Sequence, residues 1–132
     1  MKPSTEPPEI EVLRETIINN PDNDWNWCSI SQNPNITWDI IINNPSYNWY
    51  RECISQNPNI TWDIVINNID KDWDWNELSE HPNMTWDIIK NNLQYRWNFA
   101  RVSKNPNITW DIIRSNPRHT WTWWKVSENE NI

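Results

Sequence analysis

The stretch Asn33-Pro34-Asn35-Ile36-Thr37-Trp38-Asp39-Ile40-Ile41 decides the architecture, because it returns at 57–65, at 81–89 with His81 and Met84, and at 105–113. Trp38, Trp62, Trp86 and Trp110 therefore recur every 24 residues, and a second column, Trp25, Trp49, Trp73, Trp97 and Trp121, keeps the same period. A fixed period of this length is the signature of a supersecondary unit that buries its apolar face only against its neighbours. The copies are read as 35–58, 59–82, 83–106 and 107–132, the last including the C-terminal end. A degenerate capping copy at 11–34 and a flexible segment at 1–10 precede them.

Each copy carries two helical signals divided by proline. Thr37 reads as an N-cap and Trp38 as the first helical residue, with Asp39 placing negative charge where the helix dipole favours it. The helix is expected to stop near Asn43-Asn44, because Pro45 neither continues a helix nor lets its predecessor adopt helical angles. The second helix is predicted from Asn48-Trp49 to Ser55-Gln56, in a capping column shared with Asp24 and Asp72 and less strictly kept by Arg96 and Thr120. Helices of about eight to ten residues are marginal alone, since isolated helices need roughly 12–15. Burial between copies must supply the difference, and a tryptophan brings ~150–250 Å² of it. All the periodic tryptophans named above are therefore assigned to the core, with Ile40, Ile41, Ile54 and their equivalents. The fold predicted is an all-α, single-domain solenoid of two-helix units, α/α or α/3₁₀. Its first copy has Arg14-Glu15 in place of Trp-Asp, as a polar capping unit would.

The composition excludes several functions. The 132 residues include 13 Trp, 10 Pro and no Gly. Without glycine there is no Walker loop, no dinucleotide-binding turn and no Gly-x-Ser-x-Gly nucleophile elbow. No run approaches the roughly 18 apolar residues of a membrane span, and the N-terminus has no apolar core of a signal peptide. Cys28 and Cys53 are too few for a disulfide framework, which points to reduced thiols. With only His81 and His119 beside them they offer no metal-ligand spacing, so neither metal nor cofactor is expected. The Asn-x-Thr sequons at Asn35, Asn59, Asn83 and Asn107 read as turn chemistry.

Candidate catalytic groups have structural explanations. Asp39, Asp63, Asp87 and Asp111 fall in a first helical turn. Ser31, Ser55, Ser79, Ser103 and Ser127 recur where a hydroxyl satisfies local backbone groups. His119 lies in a variable loop and His81 replaces a turn asparagine, so both read as surface residues. No enzyme is expected.

Binding is the function left to such a surface. The columns that change character along the chain are Ile18, Ile42, Ile66, Lys90, Arg114 and the loop series Asp22-Asn23, Ser46-Tyr47, Asp70-Lys71, Gln94-Tyr95, Arg118-His119. A third column, Trp27, Arg51, Trp75, Phe99 and Trp123, admits an arginine and so reads as part-exposed, with Trp124 beside it. Partly exposed aromatics and arginine are the composition of interaction hot spots. Residues 1–82 carry a net charge of −10 and residues 83–132 a net charge of +3. Lys90, Arg96, Arg101, Lys104, Arg114, Arg118 and Lys125 of the basic part are interleaved with tryptophans, which suits single-stranded nucleic acid. Overall acidity opposes that alternative, because such binding rests on phosphate neutralisation. The expected partner is a protein held through Trp27, Arg51, Trp75, Phe99, Trp123, Trp124, Arg114 and Arg118. The charge asymmetry also permits head-to-tail self-association.

The repeated Asn-Pro-Asn-Ile-Thr-Trp-Asp-Ile-Ile unit, traceable over residues 11–132, resembles the tryptophan-rich tandem repeats of proteins encoded by giant double-stranded DNA viruses. That group carries no assigned activity, and the resemblance implies a viral protein; with no signal-peptide core in the N-terminus, the expected setting is the host cytoplasm or virion and not secretion. More distantly, the 24-residue period and the Asn-Pro-x-x-Thr-x-x-Ile signature are similar to the leucine-rich variant repeat, which pairs an α-helix with a 3₁₀ helix in a curved stack. Trp and Ile stand here for that family's Leu. The N-terminal cysteine cluster that some of its members use for an iron–sulfur centre is absent, so no cofactor is implied.

Overall fold

The computed structural model describes residues 8–132, and the part of the N-terminal segment at 1–7 lies outside the described residues. Ten helices follow one another: α1 (Pro8–Asn19), α2 (Trp27–Ser31), α3 (Trp38–Asn43), α4 (Arg51–Ser55), α5 (Trp62–Asn67), α6 (Trp75–Glu80), α7 (Trp86–Lys90), α8 (Phe99–Val102), α9 (Trp110–Ser115) and α10 (Trp123–Ser127). Among the described residues there is no strand, and both helices of every copy are α rather than 3₁₀. Helix α1 begins at Pro8, inside the segment expected to be flexible; proline is well suited to a first helical turn, where its missing N–H is not needed.

The first helix of each copy begins where the sequence placed it. Thr61, Thr85 and Thr109 accept the N–H of Ile64, Ile88 and Ile112, while Thr37 holds the N-cap position without that bond. The second helix begins two residues later than predicted, at Trp27, Arg51, Trp75, Phe99 and Trp123, with Asn26, Tyr50, Asp74, Asn98 and Thr122 as N-caps. The reason is a tether. The indole N–H of Trp49 donates to the carbonyl of Asn44 at 2.8 Å, and Trp25, Trp73, Trp97 and Trp121 repeat the bond at 2.8–2.9 Å. That bond holds each tryptophan in the connecting turn, and only after it can a helix start. The helices are consequently four to six residues long after α1, shorter than the sequence implied.

The deepest side chains are aliphatic rather than aromatic. Ile36, Ile60, Met84 and Ile108 form one buried column, Ile17, Ile41, Val65, Ile89 and Ile113 another, and Ile30, Leu78, Val102 and Val126 most of a third. Tryptophans wall this core. Trp73, Trp86, Trp97 and Trp121 are buried, Trp25, Trp38, Trp49 and Trp62 are partly buried, and Trp110 is 48% exposed, which corrects its assignment to the core. Trp38, Trp62 and Trp86 each meet the tryptophan of the next copy, Trp73, Trp97 and Trp121, at 5.3–5.8 Å; Trp110 has no such cover.

Hydrogen bonds tie copy to copy. Asn57 Nδ2 donates to the carbonyls of Ser31, Asn33 and Ile36 at 2.8, 3.1 and 3.0 Å. Asn105 and Asn129 repeat the pattern two and three copies further along the buried column that His81 interrupts. The amides of Asn59, Asn83 and Asn107 each donate to two carbonyls of the preceding turn, Asn59 and Asn107 sharing that of Ile36 with Asn57 and that of Met84 with Asn105, so these sequon residues are turn chemistry in a literal sense. The recurrent serines act between copies as well as locally. Ser55 Oγ donates to the Arg51 carbonyl at 2.9 Å and accepts the Asp74 N–H of the next copy at 2.9 Å.

Cys28 and Cys53 are joined in a disulfide between α2 and α4, with Cα atoms 5.4 Å apart, which corrects the expectation of reduced thiols. Their separation of 25 residues is one more than the repeat, so adjacent copies set them side by side.

Two outcomes follow from this bonding. Asn105→Ala should lose about 3 kcal/mol in urea unfolding, because its buried amide gives up hydrogen bonds to the Ser79, His81 and Met84 carbonyls. The exposed Asn67→Ala should stay within about 0.5 kcal/mol. Reduction should cost about 3 kcal/mol, the loop-closure value for a crosslink of this span. A reductant should leave the unfolding midpoint of the Cys28→Ser, Cys53→Ser double variant unmoved.

Candidate functional site

The residues expected to form a part-exposed aromatic row occupy the first position of every second helix, and the structure divides them. Trp27 is only 7% exposed, which corrects its placement on the surface. It is buried because Tyr47 and Trp49 of the next copy pack against it in T-shaped contacts at 5.8 and 5.2 Å. Trp75 and Phe99 are partly buried, covered by rings of the following copy. Tyr95 lies flat on Trp75, with centroids 5.3 Å apart and planes at 6°, and His119 lies on Phe99 at 5.3 Å and 8°. Trp123 and Trp124 are 62% and 61% exposed, and Lys125 Nζ sits 4.2 Å from the Trp124 ring. The position of Trp124 is occupied by exposed Glu52 and Asn76 and by partly buried Cys28 and Ala100 in the other copies.

The covering rings form a column of their own, Tyr47, Tyr95 and His119, which the sequence displayed as a variable loop series. The signal that would have found it is the shared 24-residue spacing of planar side chains. Lys71 takes the place between Tyr47 and Tyr95, opposite Arg51. Arg51 is exposed and ion-paired with Asp72.

Most cations of the basic half are engaged with carboxylates. Arg114 meets Asp111 at 2.6 Å and Lys90 meets Asp87 at 3.0 Å. Arg101 lies 3.2 Å from Glu80 and 3.7 Å from Glu77, while Lys104 and Lys125 approach Glu128 at 3.4 and 3.9 Å. Arg118 is exposed in the loop before α10. Burial raises the Glu77 carboxyl above its ordinary range, with Arg101 opposing and Asp74, Glu80 and Glu52 adding to the rise. Among the described residues no three His, Cys, Asp or Glu side chains converge to hold a metal ion, and no helix is long and apolar enough to cross a membrane.

His81, read as a surface residue, is 2% exposed and stands in the buried asparagine column. Its Nδ1 accepts the Asn83 N–H at 3.0 Å, which leaves the proton on Nε2 to donate to the Asn57 carbonyl at 2.9 Å. Burial lowers its pKa from the ordinary 6.5, against the opposing pull of the Asn57 carbonyl. His119, also read as a surface residue, is partly buried between Phe99 and Trp86.

Comparison with family models, curated proteins and solved structures returns no match for this chain.

The lowered His81 pKa has a definite sign. The unfolded chain takes up a proton near pH 6.5 and the folded chain only lower, so stability is full above that value and falls as the pH drops toward the folded pKa. The raised Glu77 pKa acts oppositely, favouring the fold as pH falls. His81→Asn isolates the histidine, since Glu77 is common to both chains. In urea unfolding the variant should lose less stability than wild type between pH 7 and pH 5, roughly the window below the unfolded histidine value. Equal losses would place His81 outside the buried column.

Proposed function

We propose that the successive 24-residue copies form a solenoid that acts as a non-enzymatic scaffold for protein–protein interaction. The observation that carries this reading is the pair Trp123 and Trp124, two indoles about three-fifths exposed on adjacent positions of α10. Large rings left in water on a short rigid helix are what interface hot spots are made of. Arg51 shares the column of Trp123, and Arg114 and Arg118 are exposed elsewhere on the surface.

Single-stranded nucleic acid is the weaker reading. Lys90, Arg101, Lys104, Arg114 and Lys125 would each give up a carboxylate to bind phosphate. The setting is a proposal too. Disulfides persist in oxidising environments, including virion surfaces, rather than in reducing cytosol. The Cys28–Cys53 bond therefore favours a virion over the host cytoplasm for a chain of viral character.

Crosslinked capture with the intact protein tests the scaffold reading. A protein partner should be retained at roughly physiological ionic strength, ~0.15 M, and respond only mildly to added salt. The double variant Trp123→Ala, Trp124→Ala should lose it with an unchanged unfolding midpoint. Submicromolar oligonucleotide binding that weakens steeply with salt would replace this reading with the nucleic-acid one.

A further inference from the structure

We propose that the junction between the copies at 35–58 and 59–82 is a docking site for a tyrosine side chain presented by a partner polypeptide. The proposal deepens the scaffold reading and rests on it.

At three of the four junctions the fold fills the same space with a ring of its own. Tyr47 packs between Trp27 and Trp49, Tyr95 between Trp75 and Trp62, and His119 between Phe99 and Trp86. At the remaining junction the two corresponding positions hold Arg51 and Lys71. An open groove of about 270 Å³ results, walled by Trp38, Ile42 and Trp73, with Arg51, Lys71 and Asp72 on its rim.

The filled junctions define what the groove accepts. Tyr95 lies flat on Trp75 and edge-on to Trp62, at 6° and 66°. In the groove Trp38 stands in the place of Trp62 and keeps its contact with the next tryptophan, Trp73 at 5.3 Å. Arg51 stands in the place of Trp75. A guanidinium is planar and stacks on aromatic faces, so an incoming ring exchanges a ring partner for a cation that its electron-rich face attracts. Arg51 and Asp72 are both exposed, and an exposed ion pair gives way at little cost.

The hydroxyl is also provided for. Tyr47 donates to the carbonyl of Ile18 at 2.6 Å. Ile42 is the equivalent residue one copy on, and it lines the groove. A phenol seated as Tyr47 is, edge-on to the helix-opening residue, finds an acceptor there that a phenyl ring cannot use. The groove is smaller than the roughly 300–1,000 Å³ of small-molecule sites and suits one ring carried on a chain, as the internal occupants are.

Titration of the wild-type protein with N-acetyl-tyrosinamide, an extended pentapeptide with one central Tyr, and its Phe counterpart tests the assignment through the indole N–H signals of Trp38 and Trp73. Saturable shifts are expected, with the Tyr peptide about tenfold tighter than the free amide because its flanking backbone adds contacts. It should be about fivefold tighter than the Phe peptide, the worth of one hydrogen bond. Lys71→Tyr supplies the missing ring from within, and should raise Tm and abolish the shifts; Arg51→Trp closes the opposite wall and serves if the first variant does not fold. Silent indoles, shifts that survive a folded closing variant, or equal affinity for Tyr and Phe peptides would overturn the assignment. Equal affinity for the free amide would replace the partner with a small molecule. Wild-type self-association lost in Lys71→Tyr would make a second copy, through its exposed Tyr50, the occupant. Capture that depends on Trp123 and Trp124 while the groove stays silent sinks this inference and leaves the scaffold reading standing.

Discussion

One buried polar side chain per junction, an asparagine amide at three of the four and His81 at the other, sets the terms for the chain. Asn57 Nδ2 has two hydrogens and reaches three carbonyls of the turn before it, at residues 31, 33 and 36, so one hydrogen is shared. Those carbonyls end a short helix and open a turn, where acceptors run short of an intrahelical donor, although that of Asn33 also takes the Ile36 N–H at 2.9 Å. An asparagine 21, 24 and 26 residues downstream supplies it. The constraint is on spacing as much as on chemistry: one residue more or fewer in the intervening turns would carry the amide past its acceptors. The 24-residue period is thus the distance at which a buried turn finds its donor.

The same constraint explains how the fold dispenses with glycine. Among the described residues none has a positive φ, and glycine is needed mainly where one is. The turns are closed by side chains instead. Asn44 Nδ2 donates back to the Ile40 carbonyl at 2.8 Å while its own carbonyl accepts the Trp49 indole N–H, so a single residue ends one helix and anchors the approach to the next. Asn20, Asn68, Asn92 and Asn116 do the same. Polar groups inside this chain are numerous and all are used: among the described residues no buried side-chain nitrogen or oxygen lacks a partner.

What the sequence made legible was whatever acts within a few residues. The period, the Thr caps, the prolines and the ends of the first helices at Asn43 and its equivalents all rest on local chemistry. The second helix starts two residues beyond its expected cap, where Asn26, Asp74 and Asn98 offer local capping side chains and Tyr50 and Thr122 make no such bond. Tyr50 N–H is fixed by Ser31 Oγ, 19 residues earlier, and Trp49 by its indole tether, and neither bond is visible to a rule that looks for a capping side chain. His81 was placed on the surface because a histidine in a turn is usually there. Its column, aligned with Asn57 and Asn105, marked it as buried. The disulfide had a signal that the cysteine count hid, since a separation of one repeat plus one residue puts two thiols on adjacent turns. Of the candidate binding residues, the exposure of Trp123 and Trp124 agrees with the sequence reading. Trp75 and Phe99, partly buried, keep the part-exposed character expected of their column, whereas Trp27 is buried under Tyr47 and Trp49, and Tyr47 sits in the most variable loop.

That loop is where stability and recognition compete. A ring placed in it stacks on the helix-opening residue of the copy before and removes two aromatic faces from water, which strengthens a junction built on helices of only four to six residues. A lysine in its place leaves apolar wall exposed and the junction short of one contact. The junction with Arg51 and Lys71 is adjacent to the one crosslinked by Cys28 and Cys53, and Cys53 lies on the same helix, α4, as Arg51. The covalent bond and the open groove thus meet on a single short helix. The element that forgoes its aromatic cover is the one tied to its neighbour by a bond that does not depend on packing.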